Sequence, residues 1–161
     1  VMEKIWFYQT KIGEIGIGEE NGAIVRVTFG RDMGGLPADF EMVETPLVKL
    51  TAVEIGEYLE GKRKTFDVPL EMKGTAFQKK VWQALLEIPY GKTAAYGQIA
   101  AAAGSPRGGR AVGRANHDNP IAILVPCHRV VGANGKLTGY AGGLEIKQAL
   151  LELEQKHMEQ E

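Results

Sequence analysis

The chain is poor in cysteine: Cys127 is the only one among 161 residues. A single thiol excludes an intramolecular disulfide framework and suits a reducing interior. Histidines are also scarce, at three. None is spaced from Cys or Asp as in a zinc site, and no glycine-rich loop ends in the Lys-Ser/Thr pair that cradles phosphate. No apolar run approaches the roughly 18 residues of a membrane-spanning helix. The opening VMEKIWFYQT lacks the basic-then-apolar order of a secretory signal. These absences lead us to expect a cytoplasmic protein (nuclear if eukaryotic) with no membrane partner. What remains, 44% hydrophobic and 24% charged residues, is an ordinary globular composition. The length suits one large domain or two small ones.

The net charge of −1 conceals an asymmetry. Between Gly74 and Tyr140 stand Lys79, Lys80, Lys92, Arg107, Arg110, Arg114, Arg129 and Lys136 against only Glu87 and Asp118, a net of +6. The remainder carries −7. A basic segment of this kind reads as a polyanion-binding surface, or else as a solvated face balanced by an acidic partner domain.

The first part of the chain reads as a small antiparallel sheet and a helix. Residues 4–10, 13–19 and 23–29 are rich in β-branched and aromatic side chains, and EENG supplies a hairpin turn. The glycines and proline of 31–41 indicate a loop. A helix is expected from Pro46 to Glu60, capped by Thr45 and ended before Gly61. KRKTFDVPLEMKG then leaves as a strand or extended linker. We place the domain boundary at 72/73.

The second part reads as mainly helical. Thr75 and Gln78 form a capping box ahead of a stripe of Phe77, Val81, Leu85 and Ile88, with Trp82 beside it. Two short helices, near 95–103 and 106–116, surround AGSPR, which is the helix-turn-helix pattern. A last helix near 142–156 presents Ile146, Ala149, Leu150 and Leu153. The second short helix, PRGGRAVGRAN, is unusually small in its side chains. Each glycine costs about 1 kcal/mol relative to alanine in a helix interior. Gly109, Ala111 and Gly113 between Arg107, Arg110 and Arg114 suit close approach to sugar-phosphate walls, as in a minor groove. Tight helix–helix packing is the alternative.

The segment ILVPCHRVVG concentrates the remaining chemistry. IAILV reads as a buried strand or extended segment. Adjacent strand residues point to opposite faces, so Cys127 and His128 meet only if the chain bends or a water bridges them. A lone cysteine can be a small buried hydrophobe. In a Pro-Cys-His-Arg tetrad, however, the histidine can act as base and the arginine can favour the thiolate, which is the nucleophilic form.

PCHRV, with RAVGRAN before it and GYAGGLEIK after it, closely resembles the O6-alkylguanine-DNA alkyltransferases over roughly Gly74 to Glu154. The resemblance implies an N-terminal α/β domain with a small antiparallel sheet (1–72). It also implies a mainly α C-terminal domain holding a helix-turn-helix and the reactive site (73–161). It implies that Cys127 accepts the alkyl group, that His128 takes the thiol proton through a water, and that Glu154 orients His128. By the same resemblance Arg110 enters the base stack, Tyr96 assists nucleotide rotation and protonates the leaving guanine, and Asn119 braces the turn around the cysteine. Tyr140 would line the pocket, and main-chain groups of Cys127, Val130 and Ala141 would read the guanine edge. Position 141 is often serine in the family, so alanine here keeps the backbone donor and loses a hydroxyl. Asn116, Tyr140 and Ala141 are the positions expected to limit alkyl size. Family members with a structural zinc draw its ligands from N-terminal Cys and His, which this chain lacks, so neither metal nor other cofactor is expected.

The expected function is therefore single-turnover repair of O6-methylguanine, and more weakly O4-methylthymine, in double-stranded DNA by a monomer that flips the base from the minor-groove side. Two alternatives stand beside it: a non-catalytic lesion sensor, and a Cys-His acyl hydrolase.

Overall fold

The computed structural model describes residues 2–31, 35–105 and 108–158. The chain forms two compact units, 1–72 with 120–124 and 73–119 with 125–161. The boundary at 72/73 therefore needs one correction. Residues 120–124 leave the second stretch of sequence and belong with the first unit. They do so through backbone pairing: Val27 N–H donates to Pro120 O at 2.9 Å and Ala122 N–H to Val27 O at 3.2 Å. Sequence periodicity contains no term for such a long-range partner.

The first unit is built on strands β1 (Lys4–Thr10), β2 (Gly13–Glu20) and β3 (Ala23–Phe29), joined by tight turns. Asn21 and Gly22 both have positive φ, 52° and 79°, the mirror-image turn that matches strand twist. Along β2, Ile15 and Ile17 alternate with Gly16 and Gly18, so one face is packed and the other stripped of side chains. A Cβ on Gly16 would stand 2.8 Å from both Phe7 and Thr28, which explains why the position is bare. The sheet is not wholly antiparallel as expected. Glu41–Met42 forms a short strand, β4, parallel to β1, and the order is β3-β2-β1-β4. Helix α1 (Pro46–Leu59) begins where its cap dictates, with the Thr45 hydroxyl accepting from Val48 N–H at 3.1 Å. Val48, Ile55 and Tyr58 of α1 and Ile5, Ile15, Ile17 and Val27 of the sheet are fully or nearly fully buried.

In the second unit, α2 (Ala76–Leu86) opens on the expected Thr75–Gln78 capping box. Its Trp82 indole donates to Ala115 O at 2.8 Å, tying α2 to the helix that carries Ala115. Helices α3 (Tyr96–Ala102) and α4 (Gly109–His117) flank the turn at Gly104, whose φ is 76°. The described part of α4 starts three residues later than expected, with Gly108 as its N-cap. Pro106 and Arg107 lie outside the described residues. Two dipeptide strands that were not anticipated, β5 (Ala94–Ala95) and β6 (Val130–Val131), pair in parallel. They set the start of α3 beside the cysteine segment. Helix α5 (Leu144–His157) begins two residues late because Gly143, at φ 95°, cannot be helical. Its buried face is Lys147, Leu150 and Glu154, while Ala149 is exposed.

Candidate active site

IAILV is not a strand. The chain turns at Ile123, where φ is 71° and Leu124 N–H donates to Ala122 O at 2.8 Å. This is a three-residue γ-turn of the rare, strained hand at a β-branched residue. Pro126 (φ −80°, ψ 63°) then makes a γ-turn of the ordinary hand, closed by Cys127 N–H to Val125 O at 2.8 Å. A single 3₁₀ turn, Cys127–Arg129, follows. The bend required for Cys127 and His128 to act together is thus supplied by consecutive turns, which short-range apolar content cannot distinguish from a strand. Asn119 holds the base of the excursion: its Nδ2 donates to Val125 O at 2.8 Å. Asn116, buried on α4, donates to Cys127 O at 3.3 Å.

Cys127 is buried, and burial pushes its thiol pKa up. Hydrogen bonds with Asn119 and Tyr140 and the positive charge of Lys147 pull the other way without overcoming it. The resting sulfur is therefore a neutral thiol, and the arginine that can favour a thiolate in such a tetrad does not act on it here. Arg129 is engaged elsewhere. Its Nε and Nη2 donate to the two oxygens of Glu154 at 2.9 and 3.0 Å, and its Nη1 to Ile88 O at 2.7 Å.

Glu154 is the hub. Besides Arg129 it accepts from Gly91 N–H at 3.1 Å and pairs with His128 Nε2 at 2.7 Å, both side chains being essentially inaccessible. Burial alone would raise its pKa, but His128 and Arg129 outweigh that and bring it to about 2. An ionised carboxylate only accepts, so Nε2 of His128 carries the hydrogen. Nδ1 is then the basic nitrogen. Burial lowers the pKa of His128, leaving a neutral ring able to receive a proton.

The opposite wall is formed by the segment before α5. Tyr140 is buried there and Ala141 exposed. Lys147, fully buried, donates from Nζ to Thr138 O at 3.2 Å. Tyr96, first residue of α3, meets the Thr138 hydroxyl at 2.6 Å. A Cβ on Gly113 of α4 would sit 3.8 Å from the Tyr96 ring, an ordinary contact, so that glycine leaves room beside the phenol. Gly109, Arg110, Ala111 and Arg114 are exposed on α4, with Arg114 bridged to Asp118 at 3.0 Å. Val130 N–H is used inside the 3₁₀ turn, donating to Cys127 O, so only other main-chain groups there could meet a base edge.

The structure brings Cys127, His128, Glu154, Asn119, Asn116 and Tyr140 together, and joins Tyr96 to the same wall through Thr138. Sequence reading missed Lys147, Thr138 and the pairing of Arg129 with Glu154. Lys147 had a visible signal: it shares a helical face with Leu150 and Glu154 at spacings of three and seven. Thr138 had none, lying in an irregular segment. Among the described residues no group of three or more His, Cys, Asp or Glu could hold a metal, and no helix is long and apolar enough to cross a membrane.

These features define a helical unit whose chemistry centres on one buried thiol, served by a His–Glu pair and flanked by an exposed, arginine-bearing short helix. Family models place the two halves. Residues 5–72 match the 6-O-methylguanine DNA methyltransferase ribonuclease-like domain and residues 76–156 its DNA-binding domain. The chain is 47% identical over 148 residues to a methylated-DNA–protein-cysteine methyltransferase of Methanosarcina acetivorans, covering 91% of this chain and 95% of the relative. It is 48% identical over 151 residues to the constitutive enzyme of that name from Bacillus subtilis, covering 91% and 92%. The structure of Mycobacterium tuberculosis OGT in complex with DNA superposes with a TM-score of 0.88 at 40% identity, covering 96% of this chain and 94% of that one. The chain belongs to the methylated-DNA–protein-cysteine methyltransferase family.

Proposed function

We propose that this chain repairs O6-methylguanine, and more weakly O4-methylthymine, in double-stranded DNA by irreversible transfer of the alkyl group to Cys127. The observation that carries the reading is the buried Cys127 thiol in the same 3₁₀ turn as a neutral His128, itself paired to an ionised Glu154 at 2.7 Å. The thiol proton passes to Nδ1 of His128 through a water, and the resulting imidazolium is stabilised by Glu154. The sulfur electron pair forms a bond to the methyl carbon as the carbon–O6 bond breaks. Its electrons enter the guanine ring, which takes a proton from the Tyr96 phenol. The products are a thioether and unmodified guanine.

A soft, polarisable sulfur suits displacement at an sp³ carbon. A thioether is neutral, so it tolerates the same buried surroundings that keep the free thiol protonated. No water-borne step cleaves a sulfur–alkyl bond as it would a thioester, so one molecule performs one repair. The methyl carbon lies inside the duplex, and the nucleotide must leave the stack at a cost of a few kcal/mol. The exposed Arg110, with the small residues Gly109, Ala111 and Gly113 around it, supports approach from the minor groove and insertion into the vacated space. We further propose that the protein acts as a monomer in a reducing compartment, the cytoplasm or, in a eukaryote, the nucleus.

Incubation with a duplex containing O6-methylguanine should add one methyl mass to the peptide carrying Cys127 and none to a Cys127→Ser control. Unmodified peptide from folded, DNA-bound protein would refute the assignment. Repeated product release beyond one equivalent would point instead to a hydrolase.

A further inference from the structure

The residue that joins the two ends of this reaction is Thr138. Its side-chain oxygen lies 2.6 Å from the Tyr96 hydroxyl. Its carbonyl accepts from Nζ of the fully buried Lys147 at 3.2 Å, and the charge of Lys147 acts on the Cys127 sulfur. Thr138 is followed by Gly139 and then by the buried Tyr140, which opposes the rise that burial imposes on the pKa of that same thiol. One short stretch thus touches the group that would serve the leaving base and the groups that surround the nucleophile.

A phenol hydroxyl has one hydrogen and can also accept. If that hydrogen is to reach a base, the phenol oxygen needs a donor of its own to hold it in place and to stabilise the charge that develops as the proton leaves. Thr138 is the side chain in position to supply it. Both partners are half-buried, so this hydrogen bond is stronger than its fully solvated counterpart. The Lys147 bond to the Thr138 carbonyl fixes the backbone from which the hydroxyl projects, and a substitution at the side chain leaves that carbonyl in place.

Resting on the alkyl-transfer reading above, we propose that Thr138 is a positioning residue for that reaction. Its hydroxyl donates to the Tyr96 oxygen and so directs the phenol proton toward the leaving base. Transfer moves no atom of Thr138 permanently. The phenol gives up its hydrogen to the ring, and the threonine hydrogen bond stabilises the phenolate until solvent reprotonates it.

The test compares two methyl donors on intact protein. O6-Methylguanine in a duplex has a leaving group that needs protonation, whereas methyl iodide releases iodide, which does not. Thr138→Val keeps the branched shape and removes the hydroxyl. It should slow methylation of Cys127 by lesion DNA about tenfold, the scale of one lost hydrogen bond, while methyl iodide alkylates Cys127 at the wild-type rate. Thr138→Ser should restore the DNA reaction to within about twofold. In a Tyr96→Phe background, Thr138→Val should have no further effect. An unchanged DNA rate in Thr138→Val would overturn the proposal, as would equal slowing with both donors or an undiminished effect without the phenol. A wild-type protein that reacts with methyl iodide but not with lesion DNA would remove the alkyl-transfer reading beneath it, an outcome separate from any behaviour of the variant.

Discussion

Glu154 shows how one side chain sets the state of its neighbours. It is 1% exposed and receives hydrogen bonds from Arg129, Gly91 and His128. Such a carboxylate is tolerable only because a permanent cation and three donors compensate its burial. Replacement by Gln would leave the Arg129 guanidinium, 8% exposed, without its counter-charge. Destabilisation of about 3–5 kcal/mol is expected, measurable by urea unfolding; a loss within 1 kcal/mol would show that the pair is not what holds this region together. The same residues set acid sensitivity. His128 is depressed in the fold, whereas an unfolded histidine protonates below about pH 6.5. Its contribution is complete above that pH and drains as pH falls. Glu154 is depressed to about 2 against roughly 4.3 unfolded, so its contribution is present above the higher value and is lost on descent toward the lower. Unfolding midpoints should therefore fall from pH 7.5 to 5 and again from 5 to 3, and a flat profile would contradict both assignments.

At the scale of elements, the recognition candidate is α4. Val112, Ala115 and Asn116 face inward, and Asn116 reaches the Cys127 carbonyl. Gly109, Arg110, Ala111 and Arg114 face outward. A helix with so little side-chain bulk outside can lie close against a backbone wall, with Arg110 exposed beyond it while Arg114 is bridged to Asp118. Arg110→Ala should reduce single-turnover transfer from duplex DNA at least tenfold while changing reaction with free O6-benzylguanine less than twofold, since a loose base needs no extrusion. Equal losses on both substrates would end the case for Arg110 as a wedge. The cysteine element is its counterpart: consecutive turns, one of them with Ile123 at positive φ, bring Cys127 into a buried 3₁₀ turn braced by Asn119.

For the molecule as a whole, Cys127 is only 4% exposed, so an alkyl group on its sulfur must be seated among buried neighbours. A methyl or larger substituent on the sulfur should overpack them and cost about 1–3 kcal/mol, a fall in melting temperature of about 2–10 °C for a chain of this size. Differential scanning calorimetry of free and alkylated protein checks this. Coincident melting would mean that the pocket already accommodates the product.

Much of the architecture is local and could be read from residue order. Thr45-Pro46 starts α1, Asn21-Gly22 turns β2 into β3, and Thr75 with Gln78 starts α2, because each depends on neighbours within four positions. The PCHRV motif located the thiol and its candidate base in the same way. Other features depend on distant partners. Glu41–Met42 becomes a strand only against β1, Ala94–Ala95 only against Val130–Val131, and 120–122 joins the first unit only by pairing with Val27, far from it in sequence. The sequence by itself determined the candidate side chains for the chemistry and where α1, α2 and the β2–β3 hairpin begin. The tertiary structure alone decided that the thiol rests neutral, that Arg129 serves Glu154, and that Lys147 and Thr138 adjoin the site, because burial, charge pairing and hydrogen bonding across tens of residues exist only once the chain has folded.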